Sequence, residues 1–587
     1  MGFNVLIPVY LLYAYALHSV HSMDKISLNE NGLFTDAKGR VILLHGFNSV
    51  AHDRPWFDKQ MLNRTRLEMF RNWGINVVRL GMMWTGVMPS RSSVDTEYLT
   101  NMGKLVDLLA EYGIYVLLDM HQDQLSSRFD SYDGIPPWLV DDLPPVPHGY
   151  EYPWPFSKRP YPYFKDYFTY ACTECAEQLY TNATVYRYWG DFWQIVAKNF
   201  GRKNSVLGYE LINEPPMSNF YKDYRHILAA YVGRNQLLPV YDYLVRRIRM
   251  EDSETLIFYE PLTYGVFTPG GTGFDRVPDA LTDSLARTKS VLSYHYYCWP
   301  IVEANLSKPM PWWVKIACDK LLLPAVMRNT RKTIGRIGGG RFLTEFGYCV
   351  PDGNPTSINT MECAAVLSKA DEEFQSWTYW DTKCLDEFGN VVTAQVNAFS
   401  RVYPVATLGN PIKMHFDQET GDFFYSFLPV HKQNTNATII AEIFVPKSVH
   451  YPDGYSVGVE PSSMQLKADG NMLYIIAPAG TSQNTKTVNI HIRRGKSWEF
   501  LWSSLFKPTD VELFSLQTRE KKEEVRYNGG NRALHSNLTH SVLKRPMMRL
   551  SPAVRRQILF PSETKVDKDE PKSAGLPFSR LLYVPAE

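Results

Sequence analysis

Hydrophobic positions in the first 400 residues come as short continuous runs separated by longer amphipathic stretches. The runs are VILLHGFN from Val41, NVVRLGMMW from Asn76, IYVLLDMHQD from Ile114 and VLGYELINEP from Val206. LIFYEP from Leu256, VLSYHYY from Val291, RFLTEFG from Arg341 and FQSWTYWD from Phe374 follow. They are apolar throughout rather than alternating, which is the pattern of strands buried on both faces of a parallel sheet. Between them lie helical segments such as 99–112, where Leu105, Leu108 and Leu109 share one side. Eight β-then-α units between residues 28 and 400 predict an α/β fold, a (β/α)8 TIM barrel with loop insertions. A doubly wound open sheet is the rival, and the lack of a Gly-rich phosphate loop counts against it.

The longest insertion, residues 124–170, contains GIPPWLVDDLPPVPHGYEYPWPF and follows the third strand. It leaves the barrel face that carries active sites, and a segment of this length is expected to be a binding loop or lid. Beyond Arg401 the texture changes. DFFYSFLP, ATIIAEIFVP, MLYIIAP and TVNIHIRR alternate with Gly, Pro, Asn and Asp turns, predicting a C-terminal antiparallel β-sandwich over residues 401–500. Residues 518–587 are rich in Lys, Arg, Glu, Ser and Pro, and little fixed structure is expected there. Lys544-Arg545 and Arg555-Arg556 read as processing sites or as ordinary charges on a solvated tail.

Composition narrows the classes of function. With 44% hydrophobic and 21% charged residues a large packed core is available, and the formal net charge of +1 excludes the basic footprint of a nucleic-acid binder. Aromatic residues reach 14%, which fits a large core and equally fits rings that stack on sugars or sit at a lipid interface. Val5–Leu17 is apolar but too short to span a bilayer, and Val20-His21-Ser22 follows, so residues 1–22 read as a signal peptide. No later run is long and apolar enough for a transmembrane segment. Sequons at Asn63, Asn182, Asn305, Asn436 and Asn537 fit a glycoprotein of a secreted or lysosome-like compartment. The seven cysteines are an odd number, so at least one lacks a partner within the chain. Cys172 and Cys175 form a CxxC without a second such pair or a His cluster, which favours a local disulfide or two buried thiols over a zinc site.

The ends of the apolar runs carry the chemistry. The fourth ends in Asn213-Glu214-Pro215 and the seventh in Thr344-Glu345-Phe346-Gly347. In a barrel the C-terminal strand ends converge on one mouth, so these two carboxyl groups face each other across it. Arg79, His121, Asp123, His295, Tyr297 and Trp380 occupy other strand ends. A single polar residue there caps a strand; six loaded strand ends point to a site, because charge on an apolar strand is costly unless used. Two carboxyl groups are what acetal cleavage needs, one to protonate the leaving oxygen and one to attack the anomeric carbon or activate water. No HExxH or comparable ligand spacing and no GxSxG occurs, so neither a metal nor a cofactor is expected.

LINEP followed by LTEFG, with YHYY between and TYW after, resembles glycoside hydrolase family 5 of clan A. HGFN, VVRLGMMW, DMHQD and GIPPW narrow the likeness to the endoglycoceramidases, over roughly residues 28–500. The resemblance implies retention of configuration, Glu214 as acid/base with Asn213 positioning the sugar, and Glu345 as nucleophile supported by Arg79 and Tyr297. It implies His121, Asp123, His295 and Trp380 as the sugar-binding shell. The first loop departs from it, offering His52 and Arg54 where a Lys is anticipated. The implied substrate is a glycosphingolipid. The Trp-rich segments PWWVKIACDKLLLPAVM at 311–327 and SWEFLWSSLF at 497–506 fit contact with a membrane interface or a micelle surface. Two rivals stay open: a family 5 endo-β-glucanase or mannanase acting on polysaccharide, and a non-catalytic glycolipid-binding protein.

Overall fold

The computed structural model describes residues 23–129, 134–147, 149, 154–156, 163–302, 304–381, 383–430, 436–480, 487–495 and 581–585. Residues 1–22, expected from the sequence to be a signal peptide, the stretch 497–506 and residues 518–577 lie outside the described residues.

Each of the eight apolar runs contains a strand. These are β1 (His45–Ser49), β2 (Val77–Gly81), β3 (Tyr115–Asp119), β4 (Val206–Glu210), β5 (Leu256–Tyr259), β6 (Ser290–Tyr296), β7 (Gly340–Phe346) and β8 (Trp377–Tyr379). They pair in parallel in sequence order and β8 closes on β1, giving a barrel. Helices such as Thr96–Glu111, Ala183–Phe200 and Ile358–Glu372 pack around it, capped at their N-termini by Asp95, Asn182 and Ser357. Closure demands tight approach. A Cβ on Gly46 would sit 1.8 Å from the Val77 carbonyl oxygen, so only glycine fits there.

The first run does two jobs. Val41–Ile42 leaves the barrel and joins the strand Tyr403–Thr407 of the C-terminal domain, while His45–Ser49 enters the barrel. With Ser27–Leu28 and Phe34–Thr35, this N-terminal segment extends a seven-stranded antiparallel sheet. Its side chains Ile26, Leu28 and Phe34 plug the barrel floor against Val77, Leu117, Phe258 and Phe342.

The second sheet of the C-terminal domain contains Gly409–Phe416, Phe423–Pro429, Val488–Arg494 and Tyr455–Glu460. Period-two alternation shows in Met472–Ala477 and Val488–Arg494, whose alternate residues are buried in the sandwich core. Leu581–Val584 is a correction to the expected unstructured tail. It pairs antiparallel with Tyr455–Glu460, and Val584 is buried in the sandwich core.

After the extended cap residue Pro311, the segment 312–327 is helical: Trp312–Lys315, a π-helical turn Ile316–Leu322, then Leu323–Ile337. Pro324 explains the break in register, since its nitrogen has no hydrogen to give to the i−4 carbonyl. Disulfides join Cys298 to Cys318 and Cys349 to Cys363, whereas Cys172, Cys175 and Cys384 are buried thiols.

The floor plug gives a direct test. Phe34 packs on Phe258 and Phe342, with ring centroids 6.3 and 5.8 Å away. Phe34→Ala should lower the unfolding free energy by about 3–5 kcal/mol in a urea titration of the full chain. A loss below about 1 kcal/mol would show that the plug does not hold the floor closed.

Candidate active site

Arg79 is the middle residue of β2 and is fully buried. A guanidinium in that position is tolerated only when its charge and its donors are matched. Its Nε donates to Glu210 Oε2 at 2.5 Å, and Nη1 donates to Glu345 Oε1 at 2.6 Å and Asn48 Oδ1 at 3.0 Å. Nη2 donates to Asn213 Oδ1 at 2.8 Å and lies 3.0 Å from Asp119 Oδ2. The ends of β1, β3, β4 and β7 therefore meet on one side chain of β2. Burial opposes the charge, but the Asp119, Glu210 and Glu345 carboxylates overcome it and raise the Arg79 pKa well above its usual value.

Glu345, near the end of β7, has both carboxylate oxygens held. Arg79 binds Oε1, and the Tyr297 hydroxyl donates to Oε2 at 2.7 Å. Burial pushes its pKa up while His295 and Arg79 pull it down, leaving a net upward shift. Glu214 follows β4 in a turn with φ of 38°, in the left-handed region. His295 Nδ1 lies 2.8 Å from Glu214 Oε1 and 3.4 Å from Glu345 Oε2. One carboxylate oxygen of Glu214, one of Glu345 and a His295 nitrogen all lie within 4.8 Å of one another. That spacing suits direct attack by one carboxylate, since retaining pairs stand about 5–5.5 Å apart and inverting pairs about 6.5–9.5 Å. Burial, then the negative charge of Asp123, pushes Glu214 up to about 7, so near neutrality it holds a proton to give. Burial lowers the His295 pKa to about 4, so this ring links the two carboxyls without adding charge.

To one side stands a polar and aromatic shell. His121 Nδ1 is 2.7 Å from Asp119 Oδ2, and its Nε2 is 3.4 Å from Asp123 Oδ2. Trp380 stacks on the His121 ring at 5.2 Å with an interplanar angle of 8°. His52 packs edge-on against His121 at 5.6 Å, so the unanticipated histidine of the first loop belongs to this shell, whereas Arg54 is exposed. His52, His121 and Asp123 each bring one ligand atom within 4.8 Å of the others. Burial opposes the charge of His121, but the Asp119 and Asp123 carboxylates outweigh it and raise its pKa to about 10.

Comparison with known proteins fits this geometry. Residues 35–384 match the family model "Cellulase (glycosyl hydrolase family 5)", and residues 401–492 match "Glycoside hydrolase family 5 C-terminal domain". The chain belongs to glycoside hydrolase family 5. It is 31% identical to an endoglycoceramidase of Cyanea nozakii over 74% of this chain and 87% of that one. It is 30% identical to endoglycoceramidase I of Rhodococcus hoagii over 77% of this chain and 86% of that one. The solved structure of endo-glycoceramidase II from Rhodococcus sp., in complex with ganglioside GM3, superposes with a TM-score of 0.62 at 21% identity. That superposition covers 79% of this chain and 99% of the other.

For this family 5 enzyme, the structure brings all nine residues singled out from the sequence to one mouth. It also adds members that sequence reasoning passed over. Asn48, Asp119 and Glu210 bind Arg79, and Gln122 Nε2 donates to the carbonyl oxygens of Asn213 and Glu214 at 2.7 and 2.8 Å. Glu260, directly after β5, accepts the Glu214 backbone N–H at 2.7 Å. The signal for Glu210 and Glu260 was present in VLGYEL and LIFYEP, where an acid interrupts an apolar run. In the GIPPWLV part of the insert, Ile135, Leu139 and Val140 are buried in the barrel core.

The pair predicts a pH signature. With Glu214 as the acid and Glu345 as the nucleophile, the alkaline limb of kcat/KM should fall with a midpoint at about pH 7. Glu214→Gln should lose about 10²–10⁴-fold on a substrate whose leaving alcohol must be protonated, far less on a glycosyl fluoride, and should lose the alkaline limb. Stopped assays across pH on both substrates measure this. An alkaline limb unchanged in Glu214→Gln would assign that ionisation to another group.

Proposed function

We propose that the chain is a retaining endo-glycosidase that hydrolyses the β-glycosidic bond between oligosaccharide and ceramide in glycosphingolipids. The observation that carries this reading is a close carboxyl pair, one member with its pKa raised to about 7, together with exposed apolar side chains on the segment that follows β6. The likeness to endoglycoceramidases over about three quarters of the chain supports the substrate class.

The steps follow from the geometry. A Glu345 oxygen attacks the anomeric carbon, the bond from that carbon to the ceramide oxygen breaks, and Glu214 gives its proton to the departing oxygen. Arg79 and Tyr297 hold the attacking carboxylate in place, and Arg79 offsets negative charge at the site. Water then attacks the glycosyl–enzyme ester, Glu214 takes back a proton, and Glu345 leaves. Asn213, His121, Asp123, His295 and Trp380 line the sugar side. Asn213 is itself fixed at both ends of its amide, by Arg79 and by the Gln122 carbonyl.

The aglycone is two long chains, and each buried CH2 is worth about 0.8 kcal/mol. The loop after β6 and the helix it feeds expose Trp299, Trp312, Trp313, Ile316 and Leu321, with Trp312 75% exposed. Lys315 and Lys320 are exposed on the same segment. Aromatic, aliphatic and basic side chains together suit the interface of a membrane or micelle. A polysaccharide enzyme has no use for such a surface, and a non-catalytic binder has none for the carboxyl pair. Two disulfides, exposed sequons at Asn63, Asn305 and Asn436, and the apolar N-terminus support a secreted or lysosome-like site of action.

Turnover of a glycosphingolipid in detergent micelles, set against the same oligosaccharide on a short water-soluble aglycone, tests the assignment. Trp312→Ala with Trp313→Ala should cost about tenfold or more on the first substrate and little on the second, as expected for lost interfacial contact. Equal losses on both, or good activity on cellulose or mannan, would move the assignment to polysaccharide.

A further inference from the structure

One buried carboxyl at the mouth has no part in the steps above. Glu260 is the residue after β5, fully inaccessible to solvent, and it touches neither Arg79 nor the sugar shell through any hydrogen bond among the described residues. Its Oε2 accepts the Glu214 amide N–H at 2.7 Å, and its Oε1, 3.6 Å from His295 Nδ1, has no hydrogen-bond partner among the described residues. Its own carbonyl oxygen accepts from the Tyr241 hydroxyl at 2.8 Å, which ties it to the helix Leu238–Arg249.

The partner it holds is strained. Glu214 has a φ of 38°, a conformation that costs a non-glycine residue of order 1–3 kcal/mol and persists only where its surroundings impose it. Two side chains grip this backbone: Glu260 takes the N–H, and Gln122 Nε2 donates to the carbonyl oxygen. If the grip on the N–H is released, the turn is free to relax toward negative φ, and the Glu214 carboxyl swings away from His295 and the leaving oxygen.

We propose that Glu260 is a positioning residue for catalysis, holding the acid/base Glu214 in its left-handed turn through the amide N–H so that the carboxyl is aimed at the glycosidic oxygen. This rests on the reading of Glu214 as acid/base. Burial, with the charges of Glu214 and Glu210, raises the Glu260 pKa well above the usual carboxylate range, so Glu260 does this work as a neutral acid. A neutral acceptor adds no charge beside Glu214 when that residue gives up its proton. It follows that an amide oxygen in the same place should serve.

The test compares Glu260→Gln, which keeps an acceptor, with Glu260→Leu, which removes it at similar volume, in the full chain. Each is assayed as kcat/KM on a micellar glycosphingolipid and on the matching glycosyl fluoride, whose leaving group needs no proton. Misaiming a catalytic group by about 1 Å costs about 100-fold, so Glu260→Leu should lose about that much on the lipid and under about tenfold on the fluoride. Glu260→Gln should recover at least about tenfold of the lipid loss and keep the alkaline limb in place. If Glu260→Leu does not fold, Glu260→Ala with circular dichroism takes its place. Equal losses on both substrates, equal losses in the Gln and Leu variants, or no loss at all would each overturn the proposal. If Glu214→Gln itself loses equally on the two substrates, the acid/base reading has failed, and that result is distinct from failure of the Glu260 assignment.

Discussion

The site is built around one buried guanidinium. Asp119, Glu210 and Glu345 crowd the barrel mouth with negative charge, and Arg79 is the cation that binds all three. Removing a partner from a buried ion cluster leaves an uncompensated charge and costs about 3–5 kcal/mol, a large share of the roughly 5–15 kcal/mol by which a domain is stable. The same arginine also fixes Asn48 and Asn213, so it orients β1 and the turn after β4 while it settles the charge. Stability and catalysis meet in that one residue. It holds Glu345 in place and keeps that carboxyl's pKa from rising as far as burial alone would push it.

Burial raises the pKa of both Glu214 and Glu345, and their charged neighbours set how far. Glu345 is in direct contact with Arg79; Glu214 is a step away, with Asp123 as a negative neighbour, and is shifted up to about 7. Glu345 is thus held by a cation while Glu214 has a negative neighbour, which suits the roles of nucleophile and acid proposed for them.

Much of the architecture was legible because a parallel strand buried on both faces must be apolar along its length, and eight such runs admit few alternatives. The ends of the runs were legible for the same reason: Glu214, Glu345 and Arg79 stand out against apolar neighbours. Asn48, Glu210 and Glu260 stood out less, because each looks like a strand terminus until the register shows which neighbour it bonds. The run from Val41 could not announce that it serves two sheets, since both surroundings are equally apolar. The C-terminal strand Leu581–Val584 was hidden by the charged segment before it, and only its pairing with Tyr455–Glu460 reveals it. The burial of Ile135, Leu139 and Val140 in the insert after β3 was not legible, because Pro and Trp around them read as loop.

The central claim is that the bond broken lies between the anomeric carbon and the ceramide oxygen, in one endo cut, at the Glu214–Glu345 pair. Mass spectrometry of the products from a glycosphingolipid, with the full chain working in 18O-labelled water, reads this directly. The expected products are an intact oligosaccharide with one 18O at its reducing end and unlabelled ceramide. Monosaccharides released one at a time from the far end, or 18O in the ceramide, would contradict it.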